Sequence, residues 1–268
     1  MPLSDAENCA IGAICGTADT TLLQATNYWK NANQQRLPFT LDPRVLYRGY
    51  TANVLNNGFC VMTQFFLNGA LKKIIVGDSH RDLTPSEKVA TGFAAGALSG
   101  YVCGPLELIM IQQQRKGTGL LRTAADMLTA GPSITFRGLL GMMGREGIYC
   151  GGYLGIMPTV REYVRKTYPD SIGKTDDTAR IAAACIAGPV CSVASHPPDT
   201  LKTCLQGDIE GLKYKNYSQT TSLIIKEEGA SFLWAGLKWR LFRQFCAIML
   251  FDKIATELSP RLFPHAFR

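Results

Sequence analysis

An all-α membrane protein built from three repeats, each a pair of long helices, is the fold that this 268-residue sequence predicts. Three observations predict it. A polar run led by proline, Pro197-x-Asp199-x-x-Lys202 closed by Gln206, has a counterpart in Pro105-x-Glu107 with Gln114, about ninety residues earlier. Small residues spaced by four, Gly188/Ser192 and Gly96/Gly100, stand at one offset before each proline, where they let helix backbones approach closely. An aromatic residue two places before a glycine then opens a second helix in each repeat: Tyr47-Arg48-Gly49, Phe136-Arg137-Gly138 and Trp234-Ala235-Gly236.

Composition alone points elsewhere. A hydrophobic content of 46% and a mean hydropathy of +0.03 fit a soluble helical domain. No apolar run of about 18 residues is uninterrupted; Gly92–Ile111 is broken by Glu107, and Ile181–Ala194 is rich in Ala and Gly. A helix lining a polar cavity needs only its lipid face apolar, so the repeats outweigh hydropathy. The net charge of +7 is spread along the chain without basic tracts interleaved with aromatics. That excludes a nucleic-acid binder and suits an anionic membrane or a small anionic ligand. The nine cysteines form no CxxC pair, no metal site is expected, and Cys103, Cys185 and Cys246 read as small apolar residues. The acidic start, Met-Pro-Leu-Ser-Asp-Ala-Glu-Asn, lacks the Arg/Ser-rich character of a cleaved presequence.

In chain order the pattern gives six helices: Asp5–Trp29, Gly49–Val76, Ser86–Arg115, Gly138–Lys166, Thr178–Gln206 and Gly236–Leu258. Short amphipathic segments fall at Leu120–Leu128 and Ser218–Glu227, and Pro158 interrupts the fourth helix. The repeats divide at 1–85, 86–177 and 178–268. Proline inside a helix removes a donor and bends the axis, so Pro105 and Pro197 are kink sites. In the first repeat the kink position falls on Thr21, with Gly12 and Gly16 upstream.

These motifs resemble those of the mitochondrial carrier family, and the resemblance covers nearly the whole chain. It implies the carrier fold: six tilted transmembrane helices in three pseudo-threefold repeats, with short matrix helices, in the inner mitochondrial membrane. It implies cardiolipin as a bound structural lipid, held at Arg48, Gly49, Arg137, Gly138 and Gly236, because helix-start amides and glycine suit a phosphate. Seven residues past each marker glycine lie Asn56, Arg145 and Arg243, the level at which carriers contact substrate. Glu146 and Gln244 follow two of them. Arginine within a membrane is a functional-site hypothesis by default, and guanidinium suits carboxylate.

The resemblance also implies a matrix gate in which the acid of one repeat pairs with the base of the next, involving Glu107, Asp199, Lys202, Gln114 and Gln206. With the first repeat anchored at Thr21, the acid positions are Leu23, Glu107 and Asp199, and the base positions Thr26, Met110 and Lys202. Glu107–Lys202 is then the single ion pair expected, with Asp199 facing Thr26 and Leu23 facing Met110. The opposite gate is degraded at Asn68, Gly69 and Lys72, at Ile156, Met157 and Val160, and around Phe251-Asp252-Lys253. Two functions follow: a divergent carrier of a small carboxylate-bearing or zwitterionic metabolite, or a carrier-fold subunit of a large inner-membrane complex. No nucleophile triad, catalytic carboxylate pair or nucleotide loop points to an enzyme, and His80, His196 and His265 are isolated.

Overall fold

A computed structural model describes residues 5–77, 81–254 and 259–264. His80, His265 and the expected end of the sixth helix, Leu258, lie outside them. The described residues are helical, with no strand.

The first run consists of α1 (Asp5–Leu22) and α2 (Gln24–Gln35), separated at Leu23, where φ is −106° and ψ 14°. No proline causes this break. Thr20 and Thr21 donate their hydroxyls to the carbonyls of Gly16 and Thr17, and Thr26 donates to that of Leu23 at 2.6 Å. Such back-bonding bends helices. The run also extends six residues past Trp29, where the sequence pattern ended it. Arg36, in the left-handed region at φ 58°, terminates it. After α3 (Pro43–Leu46) comes α4 (Tyr50–Val76).

The next helix, α5 (Pro85–Lys116), begins with a capping box between Thr84 and Glu87 and ends at left-handed Gly117. Pro105 lies inside it without ending it. Short α6 (Leu120–Thr129) and α7 (Pro132–Thr135) lead to α8 (Leu139–Cys150), a π turn (Gly151–Ile156) and α9 (Met157–Thr167). The π turn widens the helix just ahead of Pro158, so the chain stays helical through it.

In the third repeat, α10 (Asp176–Ala194) and α11 (His196–Gly207) meet at Ser195, two residues before Pro197. Then follow α12 (Tyr217–Glu228), a 3₁₀ turn (Ala230–Trp234), α13 (Leu237–Lys253) and α14 (Ser259–Leu262). The expected amphipathic segments correspond to α6 and α12.

Packing closes the helices into a ring. α1 lies on α4, α4 on α5, α5 on α8, α8–α9 on α10–α11, α10 on α13, and α13 back on α2. Three helical stretches, Pro43–Val76, Pro85–Lys116 and Asp176–Ala194, are long and apolar enough to cross a membrane. The ring is polar inside and apolar outside. Gln24, Asn31, Gln34, Gln114, Asp199 and Lys202 are almost wholly buried, while Phe59, Phe66, Ile74, Phe93, Val190 and Phe242 are exposed. This inversion explains how a lipid-facing bundle has a mean hydropathy near zero.

Candidate functional site

Three glycines set the register between repeats. Gly49, Gly138 and Gly236, with φ of 75°, 79° and 82°, each start an even-numbered long helix and press on the odd-numbered helix of the following repeat. A Cβ on Gly49 would lie 2.9 Å from the Met110 carbonyl oxygen; on Gly138, 3.2 Å from that of Lys202; on Gly236, 2.8 Å from that of Lys30. Met110, Lys202 and Lys30 are therefore equivalent. The first repeat's motif is Ala25-x-Asn27-x-x-Lys30-x-x-x-Gln34, four residues beyond the register anchored on Thr21. A second pair agrees: Asn57 donates to Thr20 Oγ1 at 3.1 Å, and in the third repeat Ser192 donates to Gln244 Oε1 at 2.5 Å. Thr20, not Gly16, thus matches Ser192. The kink, acid and base positions move from Thr21, Leu23 and Thr26 to Ala25, Asn27 and Lys30.

In this register the contacts expected of a gate are more complete than the sequence suggested. Lys202 Nζ donates to Glu107 Oε1 at 2.5 Å, the pair expected. Asp199 does not face Thr26: Lys30 Nζ donates to its Oδ2 at 2.8 Å, closing the third repeat onto the first. Between the first and second repeats, Asn27 Nδ2 meets Met110 Sδ at 3.7 Å. Two links are ionic and one is a weak amide–thioether contact. Lys202 also donates to Asp199 Oδ1 at 2.9 Å. All four charged side chains are at most 8% exposed, so removing one partner would strand a charge in a dry interior.

Glutamines flank the ring. Gln34 donates to Asp199 Oδ2 and Thr200 Oγ1, both at 3.1 Å. Asn31 donates to Gln114 Oε1 at 2.8 Å, and Gln112 to the Gln206 carbonyl at 2.5 Å. The Gln206 side-chain oxygen is buried without a hydrogen bond.

One level further in, Arg145 bonds to Glu146, lies 3.3 Å from Glu107 and brings its Nε within 3.6 Å of Asp199. Glu146 in turn accepts from Gln64 at 2.9 Å. Arg145 thus joins these acid–base contacts instead of standing clear of them. Arg243 bonds to Asp19 on α1, and Gln244 to Ser192. Asn56 is buried, and its side-chain oxygen has no hydrogen bond. Two residues escaped the motif search here. Arg240, one turn before Arg243, donates to Ser195 Oγ at 2.7 Å and lies over the Tyr149 ring at 5.6 Å. Asp19 anchors Arg243. His196 is central, not isolated: its Nε2 is 2.9 Å from the Ala235 carbonyl and 3.5 Å from Gln34 Nε2.

A family profile described as mitochondrial carrier protein matches residues 174–258, the third repeat. Mitochondrial tricarboxylate transporter 1 of Mycosarcoma maydis is 26% identical, over 80% of this chain and 77% of that protein. Mitochondrial citrate transporter D of Aspergillus niger is 27% identical, over 74% and 68%. A mitochondrial glycine transporter of Emericella nidulans is 24% identical, over 93% and 86%. The third repeat thus matches the mitochondrial carrier profile, and the relatives that align over most of the chain are mitochondrial carriers.

The chain is thus similar to mitochondrial membrane carriers, in keeping with its three helices long and apolar enough to cross a membrane. The third repeat is the one matched by the profile, in line with the complete Pro197–Gln206 run. Of the two arginines expected to hold lipid, Arg137 is bonded to protein carbonyls and Arg48 lies against a helix end. Arg137 donates from Nε to the Leu205 carbonyl at 2.8 Å and from Nη2 to that of Tyr214, so it caps the end of α11. Arg48 stacks against Gly117 at the end of α5; a Cβ on that glycine would lie 3.0 Å from its guanidinium carbon. A cation at a helix C-terminus is favourable. Among the amides starting α8, that of Gly141 donates to the Tyr217 hydroxyl at 2.7 Å. No cluster of three metal-ligating side chains occurs among the described residues.

Proposed function

We propose that the protein carries a small carboxylate-bearing metabolite across the inner mitochondrial membrane by alternating access. The observation that carries this reading is the charge balance at the ring's centre. Lys30, Lys202, Arg145, Arg240 and Arg243 meet Asp19, Glu107, Glu146 and Asp199, one positive charge in excess. A bound carboxylate neutralises that excess. By engaging Arg145 it also weakens the hold of Arg145 on Glu107 and Asp199, the two acids of the gate. A ligand shifts a conformational equilibrium only through such differential contacts. Charge-assisted hydrogen bonds contribute roughly 1.5–3 kcal/mol each, so two ionic links and one weak contact form a gate that a carboxylate can open. Cardiolipin bound near Gly49, Gly138 and Gly236 belongs to the same proposal.

The test is uptake of radiolabelled citrate, malate, 2-oxoglutarate and glycine by liposomes containing the purified protein. Saturable uptake of at least one supports the reading. No uptake of any of them contradicts it.

A second reading, a carrier-fold subunit of a larger inner-membrane assembly, draws on the opposite end of the bundle. In the first two repeats the gate positions there, Asn68, Gly69 and Lys72 on α4 and Ile156, Met157 and Val160 on the fourth run, offer no acid; only the third, around Phe251-Asp252-Lys253, has one. Stoichiometric recovery in a large complex from mild detergent favours this reading, and recovery as a free monomer opposes it.

A further inference from the structure

A cavity of about 200 Å³ lies where α4, the start of α5 and the fourth helical run meet. Lys88, on its wall, precedes Glu107 by nineteen residues on α5, about 28 Å at about 1.5 Å per residue. The cavity is therefore remote from the acid–base contacts at the ring's centre. Asn68 and Lys72 line it from α4, Lys88 from α5 and Pro158 from α9, with Leu83 and Leu154 as its apolar wall. The π turn shapes it: Gly155, between Leu154 and Pro158, packs so closely that a Cβ there would lie 2.6 Å from Val89 Cα. That contact seats the fourth run against α5 beside Lys88. No residue lining the cavity is acidic. Neither Lys72 nor Lys88 makes an ion pair among the described residues, and two flanking acids are taken. Arg81 donates to Glu87 at 2.6 and 2.7 Å, and Lys166 to Glu162 at 2.7 Å. Asp82 is exposed and pairs with neither lysine. The Asn68 Oδ1 is buried without a hydrogen bond, and a buried polar atom of this kind calls for a partner.

We propose that this cavity binds a phosphate group between Lys72 and Lys88, which bridges α4 to α5 and so ties the first repeat to the second. Two ammonium groups without a carboxylate match a phosphate, which carries about 1.5–2 negative charges near neutrality. A cleft lined by one sign of charge concentrates the opposite one, and lysine holds phosphate as a point charge, without a fixed fork. Asn68 adds a donor: with its amide turned over, the buried atom is Nδ2 and the ligand accepts from it. A water's share of the liquid is about 30 Å³, so the cavity takes a group of a few heavy atoms, not a nucleotide. Inorganic phosphate and the headgroup of phosphatidic acid present this same chemistry. The site is independent of transport, because it shares no residue with the acid–base contacts of the ring.

The experiment follows thermal unfolding of the protein in lipid-free detergent over a series of inorganic phosphate concentrations, with chloride at matched ionic strength as the reference. It is repeated with phosphatidic acid or phosphatidylcholine added to the detergent. Wild type is compared with Lys72→Gln, Lys88→Gln and Lys73→Gln, the last removing a neighbouring charge outside the cavity. The expected result is a rise in melting temperature with phosphate or phosphatidic acid beyond that with chloride or phosphatidylcholine. Lys72→Gln and Lys88→Gln each raise the half-saturating concentration about tenfold or more, the loss of one charge-assisted hydrogen bond, and Lys73→Gln leaves it unchanged. A response to inorganic phosphate assigns the site to the free ion, and a response to phosphatidic acid alone assigns it to the lipid; both support the proposal. Melting temperatures without ligand show whether each variant folds, and if one cavity variant does not, the other carries the test. Equal stabilisation by chloride, or none by either phosphate source, overturns the proposal. So does an unchanged half-saturation in a folded cavity variant, or an equal loss in Lys73→Gln.

Discussion

Lys30 and Asp199, 169 residues apart in the chain, meet at 2.8 Å in the centre of the bundle and tie the last repeat to the first. Gln34, which donates to Asp199 and Thr200, joins this pair in closing the ring between α2 and α11. With Lys30, a first repeat that lacks the proline and acid of the motif still contributes its base.

The weak link between the first and second repeats should be repairable. Asn27→Asp alone buries a carboxylate opposite a thioether, and Met110→Lys alone buries an unpaired ammonium; each should cost about 3–5 kcal/mol. Together they should recover at least about 1.5–3 kcal/mol of that loss. Thermal unfolding of the two single variants and the double variant measures the coupling. Additive losses would show that the two positions do not face each other.

Glycine substitutions should separate backbone strain from close packing. Gly236→Ala suffers both, with φ 82° and a Cβ 2.8 Å from the Lys30 carbonyl oxygen. Gly229→Ala, at φ 83° with open space around it, suffers only the first. The left-handed region costs about 1–2 kcal/mol for a residue with a Cβ, and overpacking adds about 1–3 kcal/mol. Gly236→Ala should therefore lower the melting temperature more.

Much of the fold was legible because helix periodicity and glycine spacing are local. The second and third repeats kept Pro105 and Pro197 as landmarks, and Glu107–Lys202 followed directly. The first repeat had no such landmark. Its break at Leu23 comes from threonine back-bonding, a common residue in an uncommon role, and Thr21 was an arbitrary anchor. Ending the first helix at Trp29 then left out Lys30 and Gln34, the residues that hydrogen-bond Asp199. Arg240 was missed because motif counting samples one depth per helix, whereas a cavity wall extends over several turns. The partners of Arg137 come from the far side of α11 and leave no trace in local sequence.

Acid should weaken the loop after α11 through Asp208. Burial raises its pKa, but hydrogen bonds from the amides of Tyr214, Lys213 and Leu212 and the nearby Arg137 outweigh that and hold it below the ordinary value. Because the folded value is depressed, the stabilisation is present above the unfolded pKa of about 3.9 and is lost as pH falls through the lower folded value. Melting temperatures of wild type and Asp208→Asn should differ most near neutrality and converge in acid. A constant difference at every pH would assign the effect to packing.

Arg137→Gln should destabilise by about 1.5–3 kcal/mol by releasing the carbonyls of Leu205 and Tyr214. If the residue served only lipid, the loss of melting temperature would vanish in lipid-free detergent.

The most direct test of a gate base supplied by the first repeat is a double-mutant cycle between Lys30→Met and Asp199→Asn, read by thermal unfolding, with Thr26→Val and Asp199→Asn as the control. The expected coupling is about 1.5–3 kcal/mol for Lys30 with Asp199 and under about 0.5 kcal/mol for Thr26 with Asp199. A coupling at Thr26 as large as that at Lys30, or none at Lys30, would contradict the assignment.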